Sequence, residues 1–325
     1  MKAVLSRVVG GPETLVVEDL DAPVAGPGEV VVRVAACALN FFDTLILADR
    51  YQFKPERPFS PGGEVAGVVE SLGPGVTGVA PGDRVIAYLK WGGAREKVAV
   101  AAKDLVPMPA GLDFVPASTL CVTYGTAIHG LADRGELRPG ETVAILGASG
   151  GVGQAAIEVA KLLGARVIAC ASGEEKLAFC RSIGADEVVD YEAEDLKVRL
   201  KELTGGRGVD VVYDAVGDRF AEPAVRAMAW RGRYLVIGFA AGEIPKIPLN
   251  LLLLKGCDLR GVFWGDHLVR EPDAFAEEMR RIMDGVVAGH LKPHVQATYA
   301  LDDTAMAIAE IAARRVRGKL VVTPA

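Results

Sequence analysis

Apolar positions in the first third of the chain come in short runs that turn residues interrupt. Such runs cover residues 29–36, 63–72 and 84–88, and the stretches 25–28 and 73–75 beside them are rich in Gly and Pro. Short β-prone runs punctuated by Pro and Gly are typical of a small barrel or sandwich. Residues 1 to about 118 are therefore predicted to form a β-rich domain.

From about residue 120 the pattern changes, because strand-like apolar runs alternate with helical stretches. The predicted strands are 142–146, 166–171, 187–190, 209–214, 234–237 and 259–263, and the helices between them include 174–183, 196–204 and 221–230. Such alternation predicts a parallel sheet with helices on both faces, a doubly wound α/β domain. Right-handed crossovers would place a ligand at the carboxyl ends of the strands.

The last segment, residues 266–325, carries two helical runs, 272–287 and 301–315, and a closing strand, 319–323. It is short for a domain of its own, and we expect it to pack against the first one. The pattern thus predicts two domains, one of residues 1–120 with 266–325 and one of residues 121–265.

A glycine-dense turn follows the first strand of the second domain. The turn has the spacing G-x-x-G-x-x-G, with Ala148 where the usual motif has its first glycine, and an amphipathic stretch follows at 154–163. Strand, glycine turn and helix together indicate a dinucleotide-binding unit, because the backbone and the helix N-terminus can approach a pyrophosphate. The predicted cradle comprises Gly147, Ser149, Gly150, Gly151, Val152 and Gly153.

The end of the second predicted strand bears on the choice of coenzyme. NAD-binding units usually have an acidic residue there, which binds the ribose hydroxyls, but here Ser172 follows the strand and Lys176 comes one turn later. A 2′-phosphate carries about two negative charges near neutral pH, by analogy with phosphoserine. Ser172 and Lys176 therefore favour NADPH over NADH, provided that Glu174 and Glu175 point to solvent from the first turn of the next helix.

Composition narrows the class of protein. The chain has 325 residues, half of them hydrophobic, and a net charge of −6, which gives no reason to expect a nucleic-acid partner. The longest leucine run, 249–254, is far too short to span a membrane, and the N-terminus lacks the pattern of a signal peptide. We expect a cytoplasmic protein with reduced thiols, because the cysteines are odd in number and scattered, at Cys37, Cys121, Cys170, Cys180 and Cys257.

Several motifs together resemble the quinone oxidoreductase (zeta-crystallin-like) branch of the medium-chain dehydrogenase/reductase superfamily, over essentially the whole chain. Besides the glycine turn, they are Leu39-Asn40-Phe41-Phe42-Asp43, Pro61-Gly62-Gly63-Glu64-Val65-Ala66-Gly67, Gly82-Asp83-Arg84-Val85, Thr123-Tyr124-Gly125-Thr126-Ala127, Asp214-Ala-Val-Gly217 and Arg317-Gly-Lys-Leu-Val-Val322. The resemblance implies a co-chaperonin-like (GroES-like) barrel, a Rossmann domain and an active site in the cleft between them.

Zinc separates the branches of this superfamily. Where zinc alcohol dehydrogenases have a Cys and a His, this chain has Asn40 and Gly63, and no Cys lies between Val85 and Val100, where the structural zinc lobe would be. Cys37 and Glu64 remain as scattered groups that do not make a three-ligand site. Without a Lewis acid, hydride transfer to a quinone or an enone is expected rather than alcohol oxidation.

The resemblance also implies roles for individual residues, each with a structural alternative. Asn40 would lie near the nicotinamide ribose or cap a turn, and Tyr51 would contact the nicotinamide or substrate or be an ordinary half-buried Tyr. Thr123 and Thr126 would hold the carboxamide or cap a helix. The remaining coenzyme contacts would be Tyr191, Gly238, Phe239, Phe263, Gly265 and either Arg314 or Arg317.

The leading hypothesis is a zinc-independent quinone oxidoreductase that transfers hydride from NADPH. The alternatives are a reductase of activated alkenes (2-alkenals, enones or enoyl thioesters) and a crystallin-like NADPH-binding protein with little turnover. No general acid is evident, and the spacing of His129, His267, His290 and His294 indicates no metal or triad. A homodimer is expected by family analogy, paired through the edge strand near 259–263.

Overall fold

A computed structural model describes residues 1–324 of the chain. They form two compact units, Met1–Val122 together with the segment that starts at Pro293, and Thr123–Lys292. No helix among these residues has the length and apolarity needed to cross a membrane. The second unit includes residues 266–292, which the sequence pattern assigned to the first domain.

The first unit is built on an antiparallel sheet with a parallel pair at one edge. Its seven strands are Val295–Ala300, Lys319–Thr323, Glu29–Leu39, Glu64–Leu72, Arg84–Tyr88 and Leu105–Pro107 in spatial order, with Lys97–Ala101 beside Glu29–Leu39. A separate pair joins Lys2–Ser6 and Leu15–Asp19. Helices Phe41–Leu47, Phe114–Ala117 and Thr304–Ala312 and short 3₁₀ turns Pro12–Thr14, Ala102–Asp104 and Leu301–Asp303 complete the unit.

The second unit is a parallel sheet with the strand order 3-2-1-4-5-6. Its strands are β1 (Thr142–Leu146), β2 (Arg166–Ala171), β3 (Glu187–Asp190), β4 (Val209–Asp214), β5 (Met228–Val236) and β6 (Asp258–Gly261). This order is that of a Rossmann fold. The whole of β1 is buried, which explains why its sequence is an unbroken apolar run. The predicted combination of a β-rich domain with a Rossmann sheet is thus confirmed.

The helices of the second unit connect these strands. They are Leu120–Ile128, which contains the boundary between the units, Gly151–Leu162, Glu174–Ser182, Leu196–Leu203, Ala221–Ala227, Asn250–Lys255, Trp264–Arg270 and Pro272–Val287, with a 3₁₀ turn at Asp218–Phe220 and a π-helical segment at His129–Arg134. Helices Trp264–Arg270 and Pro272–Val287 belong to this unit because their apolar residues pack inside it, for example the Trp264 ring 5.9 Å from Phe275.

The predicted element boundaries are correct for most of the sheet and wrong at several places. The strand predicted over 234–237 begins already at Met228 and ends at Val236. The helix predicted over 221–230 ends at Ala227, because Met228 already pairs with Val209 in the sheet. The strand predicted over 259–263 ends at Gly261, and Phe263 instead precedes helix Trp264–Arg270. The helix predicted over 301–315 begins with a 3₁₀ turn and is α-helical only over Thr304–Ala312.

Candidate active site

The glycine turn joins β1 to helix Gly151–Leu162 through two positions that only glycine can occupy. Gly147 has a φ of +72°, in the left-handed region. A Cβ on Gly153 would lie 2.3 Å from the Gly147 carbonyl oxygen and 2.6 Å from the Ala148 Cα. Both contacts are with backbone, so Gly153 sets how closely the helix approaches the strand.

Gly150 differs from these two glycines, because the fold does not require it. The residue precedes the helix in an extended conformation, with φ −77° and ψ 171°, and a Cβ there would meet only the Gly147 carbonyl oxygen, at 3.5 Å. The first N–H groups of an α-helix have no acceptor within the helix, and they carry the positive end of its dipole. The turn therefore offers space and hydrogen-bond donors to an anionic group.

The segment after β2 brings the predicted Ser172 and Lys176 together. The Lys176 ammonium lies 3.4 Å from the Ser172 hydroxyl, and the Asp190 carboxylate at the end of β3 accepts a hydrogen bond of 3.0 Å from the Gly173 N–H. Glu174 points to solvent and pairs with Arg181 at 2.5 Å. A cation and a hydroxyl therefore lie side by side at the end of β2, as binding of a 2′-phosphate requires.

Aromatic residues follow the carboxyl ends of the outer strands. The Tyr191 ring, after β3, lies 4.4 Å from the Phe220 ring between centroids. Gly238 and Phe239 follow β5, and Phe239 leaves 38% of its surface exposed. Phe263 is 43% exposed at the start of helix Trp264–Arg270, and Gly265 lies inside that helix. Phe239 and Phe263 are therefore the most exposed aromatic residues among these predicted contacts.

Thr123 and Thr126 are buried inside helix Leu120–Ile128. The alternative role of helix cap is wrong for both, because the helix begins upstream of them at Leu120. Asp214, at the end of β4, is explained by the fold. Its carboxylate accepts hydrogen bonds from the N–H groups of Val216 (2.7 Å) and Gly217 (2.9 Å) and from the Tyr234 hydroxyl.

The first unit contains a buried polar cluster around Asn40. The Lys319 ammonium donates to the Asn40 Oδ1 at 2.6 Å and lies 3.1 Å from the Glu64 carboxylate, which also accepts from the Asn40 amide at 3.1 Å. The other Glu64 oxygen accepts from the Val122 N–H at 2.9 Å. Asn40, Glu64 and Lys319 are each more than nine-tenths buried. The cluster therefore fixes both ends of the Asn40 amide.

Strand register explains why these residues meet. Leu320 pairs with Leu39 and Ala38 pairs with Glu64 in neighbouring antiparallel ladders, so Lys319, Asn40 and Glu64 fall at one end of three adjacent strands. The sequence placed Lys319 in the motif Arg317–Val322 but did not indicate that it belongs to a site. A Lys that opens an otherwise apolar strand was the signal in the sequence.

This cluster does not fit the catalytic zinc of zinc-dependent dehydrogenases. Zinc needs Cys, His or carboxylate ligands, whereas the Lys319 ammonium is itself a cation and already pairs with Glu64. Burial raises the pKa of the nearby Cys37 thiol well above its ordinary value, and the Asp43 and Glu64 charges add to that effect. Cys37 is therefore a neutral thiol rather than a thiolate ligand.

Tyr51 lies beside this cluster in an aromatic wall. Its ring stacks on Phe42 at 5.6 Å and meets Phe53 edge-on at 5.5 Å. Burial, followed by the charge of Asp43, raises the pKa of the Tyr51 phenol. The same causes act on Tyr88, whose pKa is raised by burial first and then by Tyr51 and the buried carboxylates. Both phenols stay protonated at neutral pH and can donate hydrogen bonds.

Asp43 itself caps the helix that follows Asn40. Its carboxylate accepts from the Asn40 N–H at 2.7 Å and from the Gly62 N–H at 2.9 Å. Burial raises the pKa of Asp43 to about 6, although these two hydrogen bonds oppose the shift. The residue is thus a structural acceptor, as the sequence suggested. Asn40 precedes helix Phe41–Leu47 as its N-cap, and its side chain also contacts Lys319 and Glu64. Asn40 therefore has contacts beyond those of a local helix cap.

Comparison with known families covers both units. Residues 26–110 match the alcohol dehydrogenase GroES-like domain, and residues 151–284 match the zinc-binding dehydrogenase family. Among similar proteins, the quinone oxidoreductase-like protein 2 homolog of Nematostella vectensis is 38% identical over 99% of this chain and 88% of its own length. The quinone oxidoreductase of Pseudomonas aeruginosa is 35% identical over 99% of both chains.

Solved structures of oxidoreductases are also similar to this chain. The Escherichia coli quinone oxidoreductase complexed with NADPH superimposes with a TM-score of 0.94 at 28% identity, and each chain is covered completely. A 2-haloacrylate reductase superimposes with a TM-score of 0.87 at 30% identity, covering 100% of this chain and 99% of the other.

Proposed function

Because this chain belongs to the zinc-free quinone oxidoreductase branch of the medium-chain dehydrogenase/reductase superfamily, we propose that it is an NADPH-dependent oxidoreductase that reduces a quinone. The observation that carries the proposal is the pair of features around the Rossmann sheet. Gly150, which the fold does not require to be glycine, immediately precedes helix Gly151–Leu162, and Lys176 and Ser172 lie together after β2.

Each part of the coenzyme has a proposed binding element. The pyrophosphate is held by the N–H groups of residues 147–153, and the 2′-phosphate by Ser172 and Lys176 with Tyr191 beside the adenosine. Thr123, Thr126, Gly238, Phe239, Phe263 and Gly265 surround the nicotinamide, and Asn40 binds its ribose. Either Arg314 or Arg317 adds a second cation at the 2′-phosphate. Charge-assisted hydrogen bonds of this kind contribute about 1.5–3 kcal/mol each.

The reaction needs positioning more than acid–base chemistry. The quinone would take one hydride from bound NADPH and one proton from solvent, giving the quinol and NADP⁺ with no metal step. The protein's task is to align donor and acceptor. The Tyr51 phenol, protonated at neutral pH, is the proposed hydrogen-bond donor to an acceptor carbonyl.

Reduction of an activated alkene is the second candidate. The close superposition on a 2-haloacrylate reductase favours it, because that protein acts on an alkene conjugated to a carboxylate according to its name. Both reactions use the same hydride donor and the same coenzyme contacts. They differ in where the single proton goes, which is carbon for an alkene and oxygen for a quinone.

The rates of quinone reduction and of enone reduction, measured under the same conditions, distinguish the two candidate functions. NADPH consumption is measured with 1,4-benzoquinone and with a simple enone, and again with NADH in place of NADPH. The proposal expects quinone turnover with a clear preference for NADPH. Faster turnover of the enone would replace it with alkene reduction, and a preference for NADH would contradict the assignment of Ser172 and Lys176.

Gly150→Ala tests the pyrophosphate contact without disturbing the fold. The added methyl group has room in the protein, but it occupies the space where the coenzyme pyrophosphate would approach the protein backbone. We expect an unchanged melting temperature and an NADPH affinity at least tenfold weaker. Gly173→Ala is unsuitable as a control because of its positive φ, so Ser182→Ala on helix Glu174–Ser182 serves instead. Unchanged NADPH affinity in Gly150→Ala would contradict the proposed contact.

A homodimer is proposed through the edge of the Rossmann sheet. Strand β6 is the last in the sheet, and the preceding segment leaves Leu249, Leu253 and Leu254 exposed by 74%, 80% and 69%. An unpaired edge beside a large apolar patch is typical of a protein interface. Light scattering on a sizing column should show a dimer, and a double change of Leu253 and Leu254 to Asp should give a monomer. A monomeric wild-type protein would refute the proposal.

A further inference from the structure

Two histidines and a glutamate lie together in the second unit. His129 opens the π-helical segment His129–Arg134, His267 lies in helix Trp264–Arg270, and Glu278 lies in helix Pro272–Val287. Their exposed fractions are only 5%, 5% and 8%. Nothing in the proposed reaction uses them. Each type of side chain is a common ligand of a transition metal.

The potential ligand atoms converge on one point. The Glu278 carboxylate lies 3.6 Å from the His129 Nδ1 and 3.3 Å from the His267 Nε2. One ligand atom from each of the three residues lies within 4.8 Å of the other two. Zinc–nitrogen and zinc–oxygen bonds of about 2.0–2.2 Å in a tetrahedron place neighbouring ligands about 3.3 Å apart. The two histidine–glutamate separations are therefore close to this value, and all three residues lie near enough for small side-chain rotations to bring them onto one ion.

Two further carboxylates complete the surroundings. The Asp133 carboxylate lies 3.1 Å from the same His129 Nδ1, at a ligand-to-ligand distance. The Glu271 carboxylate lies 3.6 Å from the other ring nitrogen of His267, Nδ1. A carboxylate behind a ligating imidazole is the usual outer partner at zinc sites. Asp133 and Glu271 thus each face a ring nitrogen of one of the two histidines, as outer partners of the site would.

Hydrogen bonds among the side chains do not satisfy this cluster. Within the described residues, the Nδ1 atoms of His129 and His267, the His267 Nε2 and the Glu278 Oε2 are buried without a hydrogen-bond partner. Both His267 nitrogens face carboxylates, yet a neutral imidazole has one N–H to donate. The two rings stack at 3.9 Å between centroids. A divalent cation would bind one nitrogen of each ring and the Glu278 carboxylate, and Glu271 would accept from the remaining N–H of His267.

We propose that His129, His267 and Glu278 bind a divalent transition metal ion of the zinc class, with water in the fourth position. The ion would join three helical elements of the second unit, which are the π-helical segment and the two helices that start at Trp264 and Pro272. Its role is structural, because the coenzyme contacts proposed above do not include these side chains. A chain that needs no metal for its reaction would then still carry one.

Metal titration of the full-length protein tests this site. After treatment with a chelator, the protein is titrated with Zn²⁺ in a calorimeter and with Co²⁺ in a spectrophotometer. We expect one equivalent of Zn²⁺ bound, a visible absorption typical of four-coordinate Co²⁺ that Zn²⁺ abolishes, and a melting temperature raised by several degrees with excess Zn²⁺. No saturable Zn²⁺ binding below about 100 μM, or a Zn²⁺-insensitive Co²⁺ signal, would overturn the proposal.

Variants assign the binding to these residues. His267→Gln and Glu278→Gln should each weaken Zn²⁺ binding at least 100-fold, whereas His290→Gln, on an exposed histidine of the same unit, should not change it. Quinone turnover by the wild type should be the same with and without Zn²⁺, which keeps this site separate from the proposed reaction. Equal Zn²⁺ affinity in His267→Gln, Glu278→Gln and the wild type would place the ion elsewhere and refute the assignment.

Discussion

The buried ion pair between Lys319 and Glu64 makes the sharpest prediction about stability. The exposed fractions of the two side chains are 5% and 1%, and the charged atoms lie 3.1 Å apart. At an effective dielectric constant of about 20, the attraction at that distance is about 5 kcal/mol. Lys319→Met keeps the length of the side chain but leaves the Glu64 carboxylate buried without its cation. Such a loss costs about 3–5 kcal/mol.

A double-mutant cycle separates the pair from its surroundings. Glu64→Gln removes the opposite charge and keeps an oxygen that can accept from the Val122 N–H. The Glu64→Gln/Lys319→Met variant therefore has no isolated charge, and we expect it to recover at least half of the stability that Lys319→Met loses. Lys97→Met is the matched control. Its partner Glu70 lies 2.6 Å away at the surface, and such pairs contribute about 0–1 kcal/mol.

Tryptophan fluorescence during urea unfolding provides the assay. Trp91 lies in the first unit, whereas Trp230 and Trp264 lie in the second. In a Trp230→Phe/Trp264→Phe background, the emission reports on the unit that contains the ion pair. The reasoning is wrong if Lys319→Met costs less than about 1 kcal/mol, or if the double variant is destabilised by the sum of the two single changes.

Three further predictions address the coenzyme site and a buried carboxyl. Lys176→Ala should weaken NADPH binding at least tenfold and NADH binding little, as measured by fluorescence titration, with Lys197→Ala as the control; equal losses for both coenzymes would remove Lys176 from the 2′-phosphate. Gly153→Ala should lower the melting temperature, because its methyl group would overlap the Gly147 and Ala148 backbone; an unchanged melting temperature would show that the turn can open. Burial raises the pKa of Asp43 from 3.8 to about 6 in the folded state, so its contribution to stability is full below pH 3.8 and lost as the pH rises through about 6. This difference in pKa corresponds to ~3 kcal/mol in the free energy of unfolding. In the Asp43→Asn variant, the free energy of unfolding should therefore fall less between pH 3.8 and about 6. A pH profile parallel to that of the wild type would contradict the raised pKa.

The sequence by itself determined the first four strands of the Rossmann unit to the residue. Strands β1 to β4 were predicted with the bounds that the structure has, because each is a buried apolar run between turn residues. The sequence also predicted the glycine turn. Its chemistry depends on backbone conformation within a few consecutive residues, and Gly147 and Gly153 occupy positions that exclude any side chain. Ser172 and Lys176 meet for the same local reason, since they are one helical turn apart.

Tertiary structure decided the clusters whose members are far apart in the chain. Lys319 reaches Asn40 and Glu64 only through the register of three strands, and His129 meets His267 and Glu278 only through helix packing. It also decided that residues 266–292 belong with the Rossmann sheet. Apolar periodicity reports which residues a strand or helix buries, but not which distant element covers them. Side-chain clusters across such elements follow from register and packing, which a single sequence does not encode locally.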